Sequence, residues 1–394
     1  MGLFGGDSVI GLDVGSSTTK AVRMQVVRGN WAVVGVAVAP TPRGAVAEGM
    51  VGDAKALQPA LQALLSQSSV RGSEVVAAIN YTAAVSVRQA PLPVMTPEAL
   101  RKQIQTEPGQ FGLSGDREMI ADFDILGYSG EGQEAAMNTV VAAAPRAPVE
   151  ARVAALEAAG LDALAMDIEP LALVRALIEC RPGRAERKAS SAILDMGAGH
   201  TDVTVVRGSD YRFTRPIPFG GEGITEVVRQ AVQCEVEQAE ALKMEIDLRW
   251  VLDGPGDAAD TPAYRATAAI KSVLDDLLKE VNNSILYFHA QLPEEDLEGM
   301  VDTIILTGGT SKMTGLVEYM QAAFPQRIER AEFPGDYAYP INCGNGGLSA
   351  EMAPIVALAM GLAAKEPMDR ARAAAARSRA KRVAKPRKAP AAAA

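Results

Sequence analysis

Residues 10–20 read IGLDVGSSTTK, and residues 192–202 read AILDMGAGHTD. Each is an apolar run, then Asp, then Gly two positions on, then Thr six positions after the Asp. These are Asp13, Gly15 and Thr19 in the first copy and Asp195, Gly197 and Thr201 in the second. The flanks match as well. Val22, Met24 and Val26 alternate with Arg23 and Gln25 before Arg28-Gly29-Asn30 turns the chain into the apolar run 31–39. In the second copy 203–206 meets Arg207-Gly208-Ser209-Asp210 and returns through 211–214. Two strand–turn–strand units from one template predict a duplicated half-domain.

The residue types suit phosphate. A Gly-rich turn lets backbone N–H groups point at an anion with no Cβ in the way. Ser16, Ser17, Thr18, Thr19 and Thr201 add hydroxyl donors, and Lys20 adds a cation. Asp13 and Asp195 repel phosphate themselves, but they fit a hydrated Mg²⁺ held between them and the phosphates. Asx-turn capping of their own loops is the simpler alternative for both.

The chain has 394 residues, 48% hydrophobic and 22% charged, enough for two or three cores. No run of 18 uncharged apolar residues occurs, so no transmembrane helix is expected, and MGLFGGD lacks the features of a signal peptide. Cys180, Cys234 and Cys343 are far apart, which fits a reducing cytoplasm without a disulfide framework or zinc spacing. With His200 and His289 as the two histidines, a His-based triad or metal centre is not expected. The net charge is −9, yet residues 366–394 carry nine Lys/Arg against two acidic residues. That Ala-rich basic tail is too poor in bulky apolar residues to fold alone and is expected to be disordered.

Between the twin motifs, 54–66 reads as a helix with Asp53 as N-cap and Leu57, Leu61, Leu64 and Leu65 on one face. Residues 75–80 read as a buried strand. An α+β insert follows: a strand at 85–90, a helix started by Thr96-Pro97, strands at 120–126 and 136–144, and a helix at 149–159 stopped by Gly160. Helices are expected at 167–180, at 224–243 and at 264–290, with a loop at 245–262. A strand at 303–306 opens into Gly308-Gly309-Thr310, and a last apolar helix spans 354–364.

This order of segments resembles the actin-like ATPase superfamily over about residues 8–365. GLDVGSSTTK looks like its first phosphate loop, LDMGAGHTDVTVV like the second and ILTGGTSKMTGL like the adenosine loop. DIEPLALVRAL and PIVALAMGLAA look like the two connecting helices at the hinge. Within the superfamily the chain most resembles the PilM family of type IV pilus assembly. The carriers are the MGLFGGDSVIGLDVGSSTTKAV start, SVRQAPLPVMTPEALRKQI followed by ADFDILG, and the GGEGITEVVRQAV entry to the second half. The Gly-rich TEPGQFGLSGD and the Ala/Lys/Arg tail depart from the pattern.

The resemblance implies an α/β, duplicated actin-like (ribonuclease H-like) ATPase fold with an inserted α+β subdomain in the first half. The expected division is 1–82, 165–189 and 345–365 for the first half, and 83–164 for the insert. Residues 190–222 and 300–344 form the second half, 223–299 its helical part, and 366–394 the tail. It implies ATP and Mg²⁺ as cofactors. Gly15, Ser16, Ser17, Thr18 and Lys20 form one phosphate loop and Gly197, Gly199, His200 and Thr201 the other, with Asp13 and Asp195 on Mg²⁺ through water. Gly308, Gly309 and Thr310 pass under the nucleoside. Glu240 and Lys243, three apart on one helix face, contact ribose and adenine, unless they are a plain surface ion pair. Glu169 before Pro170 resembles the Glu that orients water in chaperone ATPases, with helix-dipole complementation as the alternative. Hydrolysis itself stays open, and slow turnover is compatible with the pattern.

The implied role is a cytoplasmic scaffold at the inner face of the cytoplasmic membrane. Its membrane association would be indirect, through the N-terminal cytoplasmic peptide of a PilN-like bitopic protein. That peptide would lie in a groove near Val85, Val87 and Leu92. A pilus assembly ATPase and self-association are further implied contacts, nucleic acid is not. The alternatives are a filament-forming FtsA- or MreB-like cytoskeletal ATPase and, with less support, a small-molecule kinase on the same fold.

Overall fold

The computed structural model describes residues 7–67, 69–80, 85–111, 118–130, 135–254, 256–343 and 348–372. The chain opens with a meander, β1 (Ser8–Val14), β2 (Thr18–Val27) and β3 (Asn30–Pro40). The short pair β4 (Val46–Ala47) and β5 (Met50–Val51), helix α1 (Ala54–Ser66) and β6 (Glu74–Ile79) follow. The chain then leaves through β7 (Ser86–Pro93), α2 (Pro97–Thr106), β8 (Met119–Ser129) and β9 (Ala136–Pro145). It returns by α3 (Arg146–Ala158), β10 (Asp162–Ile168) and α4 (Glu169–Val174). The second meander is β11 (Ser190–Met196), β12 (Thr201–Arg207) and β13 (Asp210–Ile217). Helices α5 (Gly221–Val232), α6 (Val236–Glu245), α7 (Arg249–Asp253) and α8 (Pro262–His289) come next. The last elements are β14 (Val301–Thr307), α9 (Leu316–Ala323), β15 (Arg327–Arg330) and α10 (Ala353–Ala363).

The duplication is explicit in the sheets. One runs β3-β2-β1-β6-β10 and the other β13-β12-β11-β14-β15. In both, the meander is antiparallel and the two outer strands run parallel to the first. Arg28 and Gly29 take φ of 52° and 85°, the two-residue hairpin geometry that matches strand twist. The insert is a separate antiparallel sheet, β7-β9-β8, closed by α2 over Leu100, Ile104, Phe111 and Phe123. Asp53 caps α1 and Thr96 caps α2, as the sequence predicts.

Three apolar layers hold the body. Leu57, Leu61 and Leu64 of α1 pack on Ile10 and Leu12 of β1. Ile270, Leu274 and Ile285 of α8 pack with Ala192, Leu194 and Ile304 of the second sheet. A third layer, around α4 and α10, takes Val9, Val22 and Val76 from one sheet and Ile193, Val206 and Ile305 from the other. The inner faces of both halves therefore share one hydrophobic cluster at the hinge.

Several elements differ from the sequence reading. Asp167 lies inside strand β10 rather than starting a helix, and the helix after it ends in a π-helical turn, Arg175–Glu179. The helix expected over 224–243 breaks into α5 and α6, because Gln233 takes φ 56°. The expected loop 245–262 contains α7, and α9 and β15 stand where the sequence pattern predicts no element. Helix α3, grouped by sequence with the insert, packs Ala155 and Leu156 into the first-half core. Residues 366–372 are helical rather than an unfolded tail: Arg372 pairs with Asp124 (2.9 Å) and Glu179 (3.3 Å), and Arg370 lies over Trp31. The rest of the expected tail, 373–394, lies outside the described residues.

One ion pair is buried at the hinge. Arg175 Nη1 donates to Asp167 Oδ2 at 2.8 Å and to the Gly361 carbonyl of α10 at 2.9 Å. Burial alone pushes the Asp167 carboxyl up. The Arg175 guanidinium, then Lys365 and the Ile168 N–H, outweigh it and hold Asp167 below its ordinary value. A carboxylate lowered in the folded state stabilises above its unfolded pKa of about 4 and stops doing so as pH falls through the folded value. Asp167→Asn leaves the Arg175 charge buried without its anion. It is expected to lower the unfolding free energy by about 3–5 kcal/mol in urea denaturation at pH 7. The difference from wild type shrinks below about pH 4.

Candidate functional site

The C-terminal ends of β1 and β11 bring the two Gly turns into the lining of one cleft of about 2050 Å³. In the first turn the Gly15 N–H donates to the Thr18 carbonyl at 3.2 Å. A Cβ on Gly15 would stand 3.0 Å from that oxygen and 3.2 Å from Lys20 Nζ. Asp13 and Lys20 face each other across β1 and β2 and form a 2.9 Å ion pair. Ser16, Ser17 and Thr18 line the cleft beside them. Beneath the turn, Arg152 of α3 donates to the Val14 carbonyl at 3.3 Å and the Gly49 carbonyl at 2.6 Å. Burial lowers its pKa, against the pull of Glu169 and Asp13.

The second turn carries Gly197, Gly199 and His200 to the cleft. Its Gly197 carbonyl accepts from the Gly221 N–H (3.0 Å) and from Thr310 Oγ1 (2.8 Å), which ties it to the start of α5 and to the Gly308-Gly309-Thr310 loop. Gly308 has φ +84°, and a Cβ there would meet the Met196 carbonyl at 2.5 Å and Asp195 Oδ1 at 2.7 Å. That crossing accepts only glycine.

Thr201 does not join the site. Its hydroxyl donates to the Phe219 carbonyl at 2.8 Å and is buried away from the cleft. Thr19, at the same position of the first copy, is likewise buried on Thr41 at 2.8 Å. The reason is strand parity: Thr18 and Lys20 share one face of β2 and Thr19 takes the other, as His200 and Asp202 do against Thr201.

Glu240 and Lys243 line the same cleft. Lys243 is 9% exposed and donates to Glu240 Oε2 (2.7 Å), Thr225 Oγ1 (2.8 Å) and the Gly221 carbonyl (3.2 Å). Burial pushes the Glu240 carboxyl up, but hydrogen bonds from Lys243 and Thr225 outweigh it and lower its pKa. The pair is thus a braced wall of the cleft and not a free surface contact.

Glu169, the first residue of α4, is buried and accepts from Asn80 Nδ2 at 2.9 Å, which also stands 3.1 Å from His200 Nε2. Asn80 and Asp202 escaped the sequence reading. Asp202 was findable: it occupies in the second copy the place Lys20 holds in the first, facing Asp195 in register.

Four carboxylates therefore crowd the centre. Burial, then Asp13 and Asp202, push Glu169 up to about 8. Burial, then Asp202 and Asp13, push Asp195 up to about 7. Burial pulls His200 down, but Asp202, then Glu169 and Asp195, raise it to about 9. Burial also opposes the Lys20 charge, and Asp13, Asp195 and Glu169 outweigh it. Oxygen donors in excess, facing Gly turns that present N–H groups, suit a hydrated dication between Asp13 and Asp195 together with a polyphosphate.

Of the residues expected near a peptide groove, Val85 and Val87 share one cluster and Leu92 lies in another. Val85 is buried with Ile79, Ala144 and Ile168 at the junction with the first half, with Val87 packed against that cluster, while Leu92 packs on the insert's own core.

The family model of "Type IV pilus assembly protein PilM" matches residues 11–366. A solved "PilM-PilN type IV pilus biogenesis complex" superposes with a TM-score of 0.73 at 26% identity, covering 91% of this chain and 98% of that one. The cell division protein FtsA of Streptococcus pneumoniae serotype 2 is 24% identical over 356 residues, 81% of this chain and 74% of FtsA. MreB5 of Spiroplasma citri bound to ADP shares the fold at a TM-score of 0.50 and 13% identity, covering 93% of this chain and 98% of that one. The duplicated α/β plan is that of the actin-like ATPases, and among the described residues no helix is long and apolar enough to cross a membrane. With a match running through both Gly-turn motifs and the insert, the chain belongs to the PilM family of type IV pilus assembly proteins.

Proposed function

We propose that this chain is an ATP-binding scaffold of the type IV pilus inner-membrane assembly platform, with MgATP held between its two halves. The observation that carries this is the meeting of both Gly turns, with Gly308 and Gly309, around one carboxylate-rich cleft. Ser16 to Thr18, Lys20, Gly197 and Gly199 would take the phosphates. Gly308 to Thr310 with Glu240 and Lys243 would frame the nucleoside. A Mg²⁺ ion would hang by water from Asp13 and Asp195, where it supplies positive charge to the β- and γ-phosphate oxygens. Contacts from both walls would favour a closed arrangement over an open one, and that difference in affinity is what drives closure. With burial, Asp13 and Asp202 pushing it up to about 8, Glu169 would orient water only once a cation offsets its neighbours.

The partner we assign is the cytoplasmic N-terminal peptide of a PilN-like bitopic membrane protein, supported by the likeness to the PilM-PilN complex. A filament-forming role, as the FtsA likeness suggests, is the second reading; ATP-dependent protofilaments under electron microscopy would favour it. Calorimetric titration with ATP is expected to give one site per chain in Mg²⁺ and much weaker binding in EDTA. A flat titration at millimolar ATP with Mg²⁺ would remove the nucleotide reading. Capture of a bitopic membrane protein through its first residues tests the scaffold role.

A further inference from the structure

Glu169, His200 and Asp202 stand in a relation that phosphate binding does not use. One ligand atom from each lies within 4.8 Å of the other two. Asp202 is 2% exposed, and its Oδ1 has no hydrogen-bond partner among the described residues. A buried carboxylate oxygen left without a donor is costly, and it marks a place built for a further group. His200 Nε2 stands 3.6 Å from Asp202 Oδ2, wider than a direct hydrogen bond. Two neighbouring ligands on one ion, each about 2.1 Å from it, lie roughly 3 Å apart. A small side-chain movement therefore closes the three around a cation.

The donor set selects the ion. Two carboxylates and one imidazole leave further positions open. Mg²⁺ takes oxygen ligands and keeps its waters, whereas an imidazole nitrogen is a ligand for first-row transition metals. The Asn80 amide nitrogen, 2.9 Å from Glu169 Oε2 and 3.1 Å from His200 Nε2, holds these two donors toward one another. The ligands also come from both halves: Glu169 from the start of α4, His200 from the second turn and Asp202 from β12.

We propose that Glu169, His200 and Asp202 bind a first-row divalent transition-metal ion without any nucleotide, at a position distinct from the Mg²⁺ between Asp13 and Asp195. The ion ties the first half to the second. It goes beyond the nucleotide reading and does not need it.

Titrating the full chain with Co²⁺ in the absence of nucleotide, and following the visible d–d absorption, tests this. One equivalent per chain is expected to bind, and a roughly 100-fold excess of Mg²⁺ is expected not to displace it. His200→Gln and Asp202→Asn, each checked for a cooperative thermal transition, are expected to weaken Co²⁺ binding by at least about tenfold. Co²⁺ is expected to raise the melting temperature of wild type and not of either variant. Absence of the bands in wild type, full displacement by Mg²⁺, or unchanged binding in His200→Gln would overturn the site. No nucleotide is present, so a failure of ATP to bind leaves this result unaffected.

Discussion

Asp195→Ala is expected to abolish Mg²⁺-dependent ATP binding and, at the same time, to make the nucleotide-free protein more stable. The two effects share one cause. Asp195 faces Asp202 across β11 and β12 with Asp13 near by, and burial with those like charges pushes it up to about 7. Like charges directly opposite on a sheet destabilise it, so their removal relieves the folded state and the melting temperature rises. The same carboxylate is one of two proposed to hold the hydrated cation, so its loss is expected to weaken MgATP by at least about 100-fold, near 2.8 kcal/mol. Asp13→Ala shares the binding loss with the opposite sign on stability. Asp13 is the 2.9 Å partner of Lys20, and its removal leaves a buried ammonium short of its nearest anion. Calorimetry and thermal melts on both variants read the two signs separately. Wild-type Mg²⁺-dependent affinity retained in both would refute the site.

This opposition also explains which parts of the molecule could be read from sequence. The twin motifs were legible because Asp, Gly and Thr recur at fixed spacing in one dimension, and a duplicated fold must repeat its turns. Spacing alone does not give the side-chain directions. Alternation along β2 and β12 sends Thr18, Lys20, His200 and Asp202 one way and Thr19 and Thr201 the other, so the Thr that marks the motif is not the one that faces the cleft. Strand β10 escaped because ALAM offers no β-branched residue and Asp167 imitates a helix cap. The break between α5 and α6 carries neither Gly nor Pro; Gln233 adopts positive φ where tertiary packing requires the turn. Asn80 and Arg152 come to the centre through long-range contacts, to residues 89 and 138 positions away, which no local pattern encodes.

Gly361→Ala is expected to be the most destabilising single-methyl change at the hinge, by about 3 kcal/mol or more. A Cβ at Gly361 would stand 1.8 Å from the Ala172 carbonyl oxygen and 2.5 Å from its carbon. Those are backbone atoms of α4, so no rotamer change gives way and the two helices must separate. The other side of α10 is equally tight: a Cβ at Gly11 of β1 would meet the Ala359 oxygen at 2.0 Å and the Ala363 nitrogen at 2.4 Å. Helix α10 is held by backbone approach on both faces, which is why glycine stands at both crossings. Arg175 also donates to the Gly361 carbonyl, so moving α10 loosens the buried Asp167 pair as well. The displacement reaches the cleft, because the Pro354 carbonyl at the start of α10 accepts from the Gly308 N–H (2.9 Å) and from Thr307 Oγ1 (2.7 Å). Urea denaturation of Gly361→Ala, Gly11→Ala and the double variant checks the mechanism. The two substitutions push α10 from opposite faces, so a shift that relieves one worsens the other, and the double is expected to cost more than the two singles together. Simple additivity, or a loss below about 1 kcal/mol in Gly361→Ala, would show that α10 yields without strain. The connection from α10 to the Gly308 loop would then carry no load between hinge and cleft.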